Sequence, residues 1–299
     1  MKSFRIIFAA LSLVALFAAS APAAIHVVAS TADLGSITKM IGGDNVKVES
    51  IVSGKSDPHF VEVLPSYMIK IARASLYLKV GMDLDYWANQ LIDGSGNGKL
   101  VIVDCSKGIN RLEVPTTKVN SSMGDVHTMG NPHYWLDPDN ALVMATNIAN
   151  ALKQVDAKNA AAYDAGLAAF QDKMNAKVVE WTAEAAPIKG LKIITYHNSW
   201  PYLAKFLGIE VADFVEPKPG IEPTPSHTAD LIELIKANKI HIIGKEPYFS
   251  DRTPKAIAKA TGAVVVDLPP SVGGDKRATD YFSLMDTIIS TLNSAKGVQ

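Results

Sequence analysis

IHVVASTADLGSITKMIGGDNVKVESIV, residues 25–52, decides the fold class. Residues 25–30 form the short apolar run of a buried strand, and the Ser-Thr-Ala-Asp step after them is a helix entry. Residues 33–42 carry the helix, and residues 46–52 alternate as a second strand. Strand, helix and strand in so short a span is the unit from which parallel sheets are built. The rhythm continues with helices at 64–74 and 86–92 and strands at 76–80 and 100–104. It resumes after Pro187 with strands at 192–195, 210–214, 240–244 and 263–266 and helices at 200–207, 228–238, 254–261 and 280–293. The expected fold class is therefore α/β, two lobes with mostly parallel sheets flanked by helices, although no sequence repeat of fixed period is visible.

Between the lobes, residues 139–186 read as helical with an interruption near Asp156. Tyr163, Leu167, Phe170, Met174, Val178 and Trp181 recur every three or four residues, which places them on one face of a long amphipathic helix. Such a helix can join the lobes as a stiff backbone and resist wide opening. The expected organisation is a signal peptide at 1–23, an N-terminal α/β lobe at 24–156, a linking helix at 157–186 and a C-terminal α/β lobe at 187–299.

Lys2 and Arg5 precede an apolar run at 6–19 that is too short to span a bilayer, and Ala21-Pro22-Ala23 offers small residues at cleavage-site spacing. We read a secretory signal peptide cut near Ala23, with the mature chain free in a periplasm. The single cysteine, Cys105, rules out an internal disulfide and lies far from any lipidation position at the cleavage site. It reads as a small buried apolar residue at a strand end. Removing Lys2 and Arg5 from 29 basic residues leaves 27 against 30 acidic ones, a formal charge of −3, which favours neither nucleic acid nor an anionic membrane as partner. A monomer is the default.

Three histidines lie in separate Pro- or aromatic-flanked segments: Asp57-Pro58-His59, Asn131-Pro132-His133-Tyr134-Trp135 and Tyr196-His197-Asn198. Ligands so far apart meet only in the folded chain, so a site built from them lies between packed elements. Pro58 fixes the approach to His59, and the Pro132 to Pro138 segment makes a rigid turn around His133. His197 follows a strand at its carboxyl end, where open α/β sheets place their ligands. An imidazole gives one nitrogen to zinc at about 2.0–2.1 Å while an acceptor anchors the other. Asp57, Asn131, Asp137 and Asn198 are the neighbouring candidates for that role, and Tyr134, Trp135, Trp200 and Tyr248 for a dry aromatic wall. Three imidazoles with at most one carboxylate suit zinc, whereas manganese prefers more oxygen donors; copper and nickel would bind as well in a test tube.

These segments, together with Pro65-Ser66, Tyr202 to Gly208, Glu216 to Pro225 and Lys245-Glu246-Pro247-Tyr248-Phe249-Ser250, resemble the zinc/manganese-binding solute-binding proteins of bacterial ABC transporters, of the cluster A-I type. The resemblance spans essentially the whole mature chain. It implies two α/β lobes joined by a long helix, one metal ion between them, and delivery of that ion to a cognate permease in the inner membrane, with no catalysis. Manganese-type members carry glutamate at the position of His197, so the zinc subgroup is favoured and Zn2+ is the expected transported ligand. A loading metallochaperone and a surface adhesin role stay open.

Two departures from the family stand out. Its fourth ligand is often an aspartate in a Leu-Asp-Pro-Leu-like stretch, where this chain has Leu268-Pro269-Pro270. The vacant position falls to Glu246, with Asp267 or a water as alternatives and a capping or salt-bridging role for Glu246 equally natural. The long His- and acid-rich insertion of zinc members is reduced here to residues 121–130, with Asp125 and His127. His127 reads first as a solvated loop residue and second as a transient collector of metal. Two rival functions remain: a haem or chelated-metal binding protein, and a zinc-dependent hydrolase, which lacks a His-Glu-x-x-His pair here.

Overall fold

The computed structural model describes residues 24–297, so the signal-peptide reading of 1–23 lies outside the described residues. Strands β1 (Ile25–Thr31), β2 (Val46–Val52), β3 (Leu76–Lys79) and β4 (Val101–Asp104) form one parallel sheet in the order β2-β1-β3-β4. Strands β5 (Lys192–Thr195), β6 (Glu210–Phe214), β7 (Ile242–Lys245) and β8 (Val264–Asp267) form the second in the order β6-β5-β7-β8. The two halves share one topology although their sequences do not visibly repeat. In each sheet the chain reverses its direction of growth after the second strand. This leaves a crevice at the carboxyl ends of the first and third strands, the usual place for a ligand.

The helices are α1 (Ala32–Gly42), α2 (Pro65–Ala72), α3 (Ala88–Ser95), α4 (Pro138–Val155), α5 (Ala160–Ala185), α6 (Pro201–Leu207), α7 (Pro225–Asn238), α8 (Arg252–Thr261) and α9 (Tyr281–Lys296). Proline opens α2, α4, α6 and α7, where a missing N–H leaves no bond unmade. The expected break at Asp156 separates α4 from α5, because its Oδ2 accepts hydrogen bonds from the Tyr163 hydroxyl (2.6 Å) and Asn159 Nδ2 (2.7 Å). Of the six-residue stripe on α5, Tyr163, Phe170, Met174 and Trp181 are buried, and Leu167 and Val178 pack partly buried against the same core. That core runs through both halves of the chain, from Val27 to Ala295. α5 packs on α1 and α4 on one side and on α9 on the other, and α9 itself returns to touch α1.

Hydrogen bonds in buried surroundings also tie the halves together. Asp33 Oδ1 accepts from the Val272 N–H (2.9 Å), and Trp135 Nε1 donates to the Pro270 carbonyl (2.8 Å). The Tyr281 hydroxyl donates to the Trp135 carbonyl (2.6 Å), and the Tyr202 hydroxyl to the Asn131 carbonyl (2.9 Å). Opening the lobes would exchange each of them for bonds to water, at a net cost of about 0.5–1.5 kcal/mol each. The Leu268-Pro269-Pro270 segment is therefore a strap between lobes. Gly54 marks a close approach, since a Cβ there would sit 2.2 Å from the Val272 carbonyl oxygen and 2.4 Å from the Gly274 nitrogen. Gly54→Ala is expected to destabilise the fold by about 1–3 kcal/mol through overpacking, read by denaturant unfolding. A midpoint equal to wild type would mean that the lobes part freely there.

Candidate metal centre

Asp57-Pro58-His59 and Asn131-Pro132-His133 build the same local device. In each, the first residue's side-chain oxygen accepts the backbone N–H of the histidine two positions on, a turn that Asp and Asn make readily. The same oxygen also meets that histidine's Nδ1. The distances are 2.9 and 2.8 Å to Asp57 Oδ1 and 3.0 and 3.0 Å to Asn131 Oδ1. Proline in the middle holds the chain in the turn. With Nδ1 engaged, Nε2 is the free nitrogen of each ring. The Nε2 atoms of His59 and His133 are buried and have no hydrogen-bond partner.

His197 reaches the same place from the second half. It lies two residues beyond the end of β5, beside the crevice between β5 and β7. Its Nδ1 pairs with Glu216 Oε1, and Glu216 Oε2 accepts from the Gly220 N–H (3.2 Å). Asn131 Nδ2 donates to the Asn198 carbonyl (2.8 Å), so the turn that orients His133 is also fixed to the His197 segment. One donor nitrogen from each of His59, His133 and His197 lies within 4.8 Å of the others. Donors of one tetrahedral zinc stand roughly 3.3 Å apart at ordinary Zn–N distances, a gap that small side-chain adjustments close.

The electrostatics differ from ring to ring. Burial pushes the pKa of His133 well below the usual histidine range, and the neighbouring His59, His197 and His127 push it the same way. Burial also acts to lower His197, but its hydrogen bond to Glu216 and that residue's charge outweigh it, and the net shift is upward. For Asp57, burial raises the pKa, yet the hydrogen bond and charge of His59 prevail and leave it lowered. Carboxylates thus stand behind two of the three rings and present negative charge to whatever occupies the centre. Trp135 lies against His133, ring centroids 5.4 Å apart, and Phe249 stacks on Tyr196 beside His197.

Other expected participants are placed elsewhere. Glu246 follows β7 and is completely buried, with Oε1 accepting from Ser199 Oγ (2.7 Å) and Trp200 Nε1 (3.0 Å). Burial pushes its pKa up to about 7, against the pull of His197 and these hydrogen bonds. It does not join the three-histidine group among the described residues. Asp267 faces Lys245 in the parallel register of β8 and β7, and the ammonium holds it at 2.6 Å. Asp137 caps α4 through the Asp139 N–H, and the side chain of Asn198 donates to Glu113; neither orients a histidine. The sequence reading missed Glu216 as the partner of His197. Its signal was a lone glutamate just beyond a strand next to β5. His127 is not a solvated side chain either: its Nε2 is buried without a partner and its ring lies 5.4 Å from that of His59.

The cleft at the centre has a volume of about 220 Å³ and is lined by Asp57, His59, Phe60, His197, Glu216 and Phe249, among others. That is smaller than the roughly 300–1,000 Å³ of sites for larger organic ligands, which weighs against haem.

Residues 27–295 match the model of a family described as zinc-uptake complex component A, periplasmic (ZnuA). The iron-binding protein YfeA of Yersinia pestis is 28% identical over 87% of this chain and 82% of its own length. The manganese ABC transporter substrate-binding lipoprotein PsaA of Streptococcus pneumoniae is 28% identical over 79% of this chain and 76% of its own. A crystal structure of ZnuA matches with a TM-score of 0.78 at 27% identity, covering 90% of this chain and 98% of that one.

Proposed function

The chain belongs to the family of ZnuA, the periplasmic component A of zinc-uptake complexes, and on that premise we propose that it captures zinc through His59, His133 and His197. It is a metal-binding substrate-binding protein of an ABC transporter, not an enzyme, and its partner is the cognate permease. The observation that carries the zinc reading is the convergence of three imidazole nitrogens within 4.8 Å, with no carboxylate in that group. Relatives are named for iron and for manganese, so family membership alone does not select the ion. An all-nitrogen donor set favours zinc over either, by ligand softness and by the order of divalent stabilities. We assign the fourth position of the ion to water, since Asp267 is paired with Lys245 and Glu246, whose Oε2 is buried without a partner, lies outside the three-histidine group. In this reading residues 1–23 direct export to the periplasm, and 24–156, 157–186 and 187–299 serve as lobe, linking helix and lobe.

The test is a chelator-buffered titration of the mature chain with zinc and with manganese. We expect one zinc per chain, bound orders of magnitude more tightly than manganese. Manganese or ferrous iron binding more tightly than zinc would overturn the assignment of the ion.

Acidity should act through His197 first. A proton on an imidazole excludes the metal, so affinity falls as pH drops through the pKa of each ligand. The pKa of His197 is raised through Glu216 while that of His133 is depressed. Loss of zinc should therefore begin above the ordinary histidine pKa of about 6.5. Glu216→Gln removes the upward push, so the onset should move to lower pH. The same variant should weaken neutral-pH affinity by about 10–100-fold, the usual cost of losing the partner behind a ligand. Titrations across a pH series read both effects; an onset unmoved by Glu216→Gln would show that the pair does not control the proton.

A further inference from the structure

Glu113 holds a left-handed backbone, φ +54°, a conformation that strains a residue with a side chain and that glycine adopts freely. Such strain persists only where surrounding contacts hold it. The Asn131 N–H donates to the carbonyl of Leu112 (2.9 Å), and the Leu112 N–H donates to the Tyr202 hydroxyl (3.0 Å), so residues 112–114 run beside the His133 turn. From there Glu113 Oε2 accepts from two side-chain amides, Asn131 Nδ2 (3.1 Å) and Asn198 Nδ2 (2.8 Å). Glu113, Asn131, His133, His197 and Asn198 all line one small cavity of about 60 Å³.

The side-chain amide of Asn131 is saturated. Its Nδ2 donates to Glu113 Oε2 and to the Asn198 carbonyl, while its Oδ1 accepts the His133 N–H and meets His133 Nδ1. An amide with two acceptors on its nitrogen side cannot turn over without setting its own oxygen against them. Oδ1 can only accept, so Nδ1 of His133 carries the ring proton and Nε2 keeps its lone pair for the metal. Asp57 and Glu216 stand directly behind His59 and His197, whereas His133 reaches a carboxylate one step later, through Asn131. Resting on the three-histidine reading above, we propose that Glu113 is a positioning residue for metal capture, whose carboxylate acts through the Asn131 amide to fix the ring and the proton of His133. Hydrogen bonds in a chain polarise one another, so negative charge at Glu113 makes Asn131 Oδ1 a better acceptor and His133 Nε2 a better donor to the ion. The strained backbone at 113 is what brings one carboxylate oxygen within reach of both amides.

The experiment compares the mature chain with Glu113→Gln and Glu113→Gly by chelator-buffered zinc titration, by denaturant unfolding of the apo proteins and by heteronuclear NMR of the histidine ring nitrogens. Glu113→Gly removes the carboxylate and relieves the left-handed strain. Its apo fold should therefore keep or raise its unfolding midpoint while zinc affinity falls by about tenfold, the low end of the range for a partner behind a ligand. Glu113→Gln retains an acceptor without the charge and should lose less. In both variants the Nδ1 resonance of His133 should move as its hydrogen bond weakens, with those of His59 and His197 unmoved. The loss of affinity should persist at high ionic strength, where simple attraction of the ion by a surface carboxylate is screened. Wild-type affinity in Glu113→Gly would overturn the proposal. So would a loss that vanishes in salt, an unmoved His133 resonance, or a fallen unfolding midpoint, which would make Glu113 a structural residue only. His133→Ala run in parallel keeps the two readings apart. Retained tight binding there would sink the three-histidine site itself, whereas lost binding there beside an unaffected Glu113→Gly would sink only this role of Glu113.

Discussion

His133→Ala is expected to weaken zinc binding by more than about 100-fold, because a lost ligand costs more than the roughly 10–100-fold of a lost outer partner. His133 is almost fully buried, its Nε2 has no other partner, and Asn131 fixes its ring from behind. Asp267 is held by Lys245 and is no ready replacement. His59→Ala and His197→Ala should act in the same direction. The three losses should not add, since ligands of one ion act as a unit. Circular dichroism and a melting curve of each apo variant check that the fold survives. Any one variant binding zinc as tightly as wild type would falsify the assignment of that histidine.

Trp181→Ala is expected to destabilise the protein by about 3–5 kcal/mol, the usual cost of emptying a buried tryptophan site. For a chain of this size that corresponds to a fall in Tm of about 6–20 °C. Trp181 lies on the buried face of α5, stacks on Phe282, meets Phe206 edge-on and donates from Nε1 to Asp286 Oδ1 at 2.6 Å. Those partners belong to α6 and α9, so the side chain fastens the linking helix to the second half. Trp181→Phe should lose mainly the charge-assisted hydrogen bond, about 1.5–3 kcal/mol. Zinc affinity of the folded variant should be unaffected because the residue is not part of the metal centre. A loss below about 1 kcal/mol for the alanine variant would show that α5 is only loosely docked.

The parts of the fold written in local pattern were legible from sequence. Strands β2, β5 and β6 begin and end where their apolar runs do, and the other strands differ by a residue or two. The α5 stripe was legible because one helical period repeats over several turns. The Asp/Asn-Pro-His tripeptides were legible because each holds a histidine and the oxygen that orients it within three residues. What was not legible depends on register and packing between distant segments. Glu216 reaches His197 because β6 pairs with β5, and Asp267 turns to Lys245 because β8 pairs with β7. Pro269 and Pro270 read only as a missing ligand, whereas they form part of a strap between lobes. The inward turn of His127 depends on contacts that its loop makes with Lys218 and Pro219, nearly a hundred residues away.

The central claim is that one ion sits on Nε2 of His59, His133 and His197 together. Anomalous diffraction at the zinc absorption edge from crystals of the zinc-loaded mature chain tests it most directly. The expected result is a single strong peak about 2.0–2.1 Å from all three Nε2 atoms, with a water as the fourth neighbour. A peak that misses any one of those nitrogens, or that lies at coordination distance from Glu246, would contradict it.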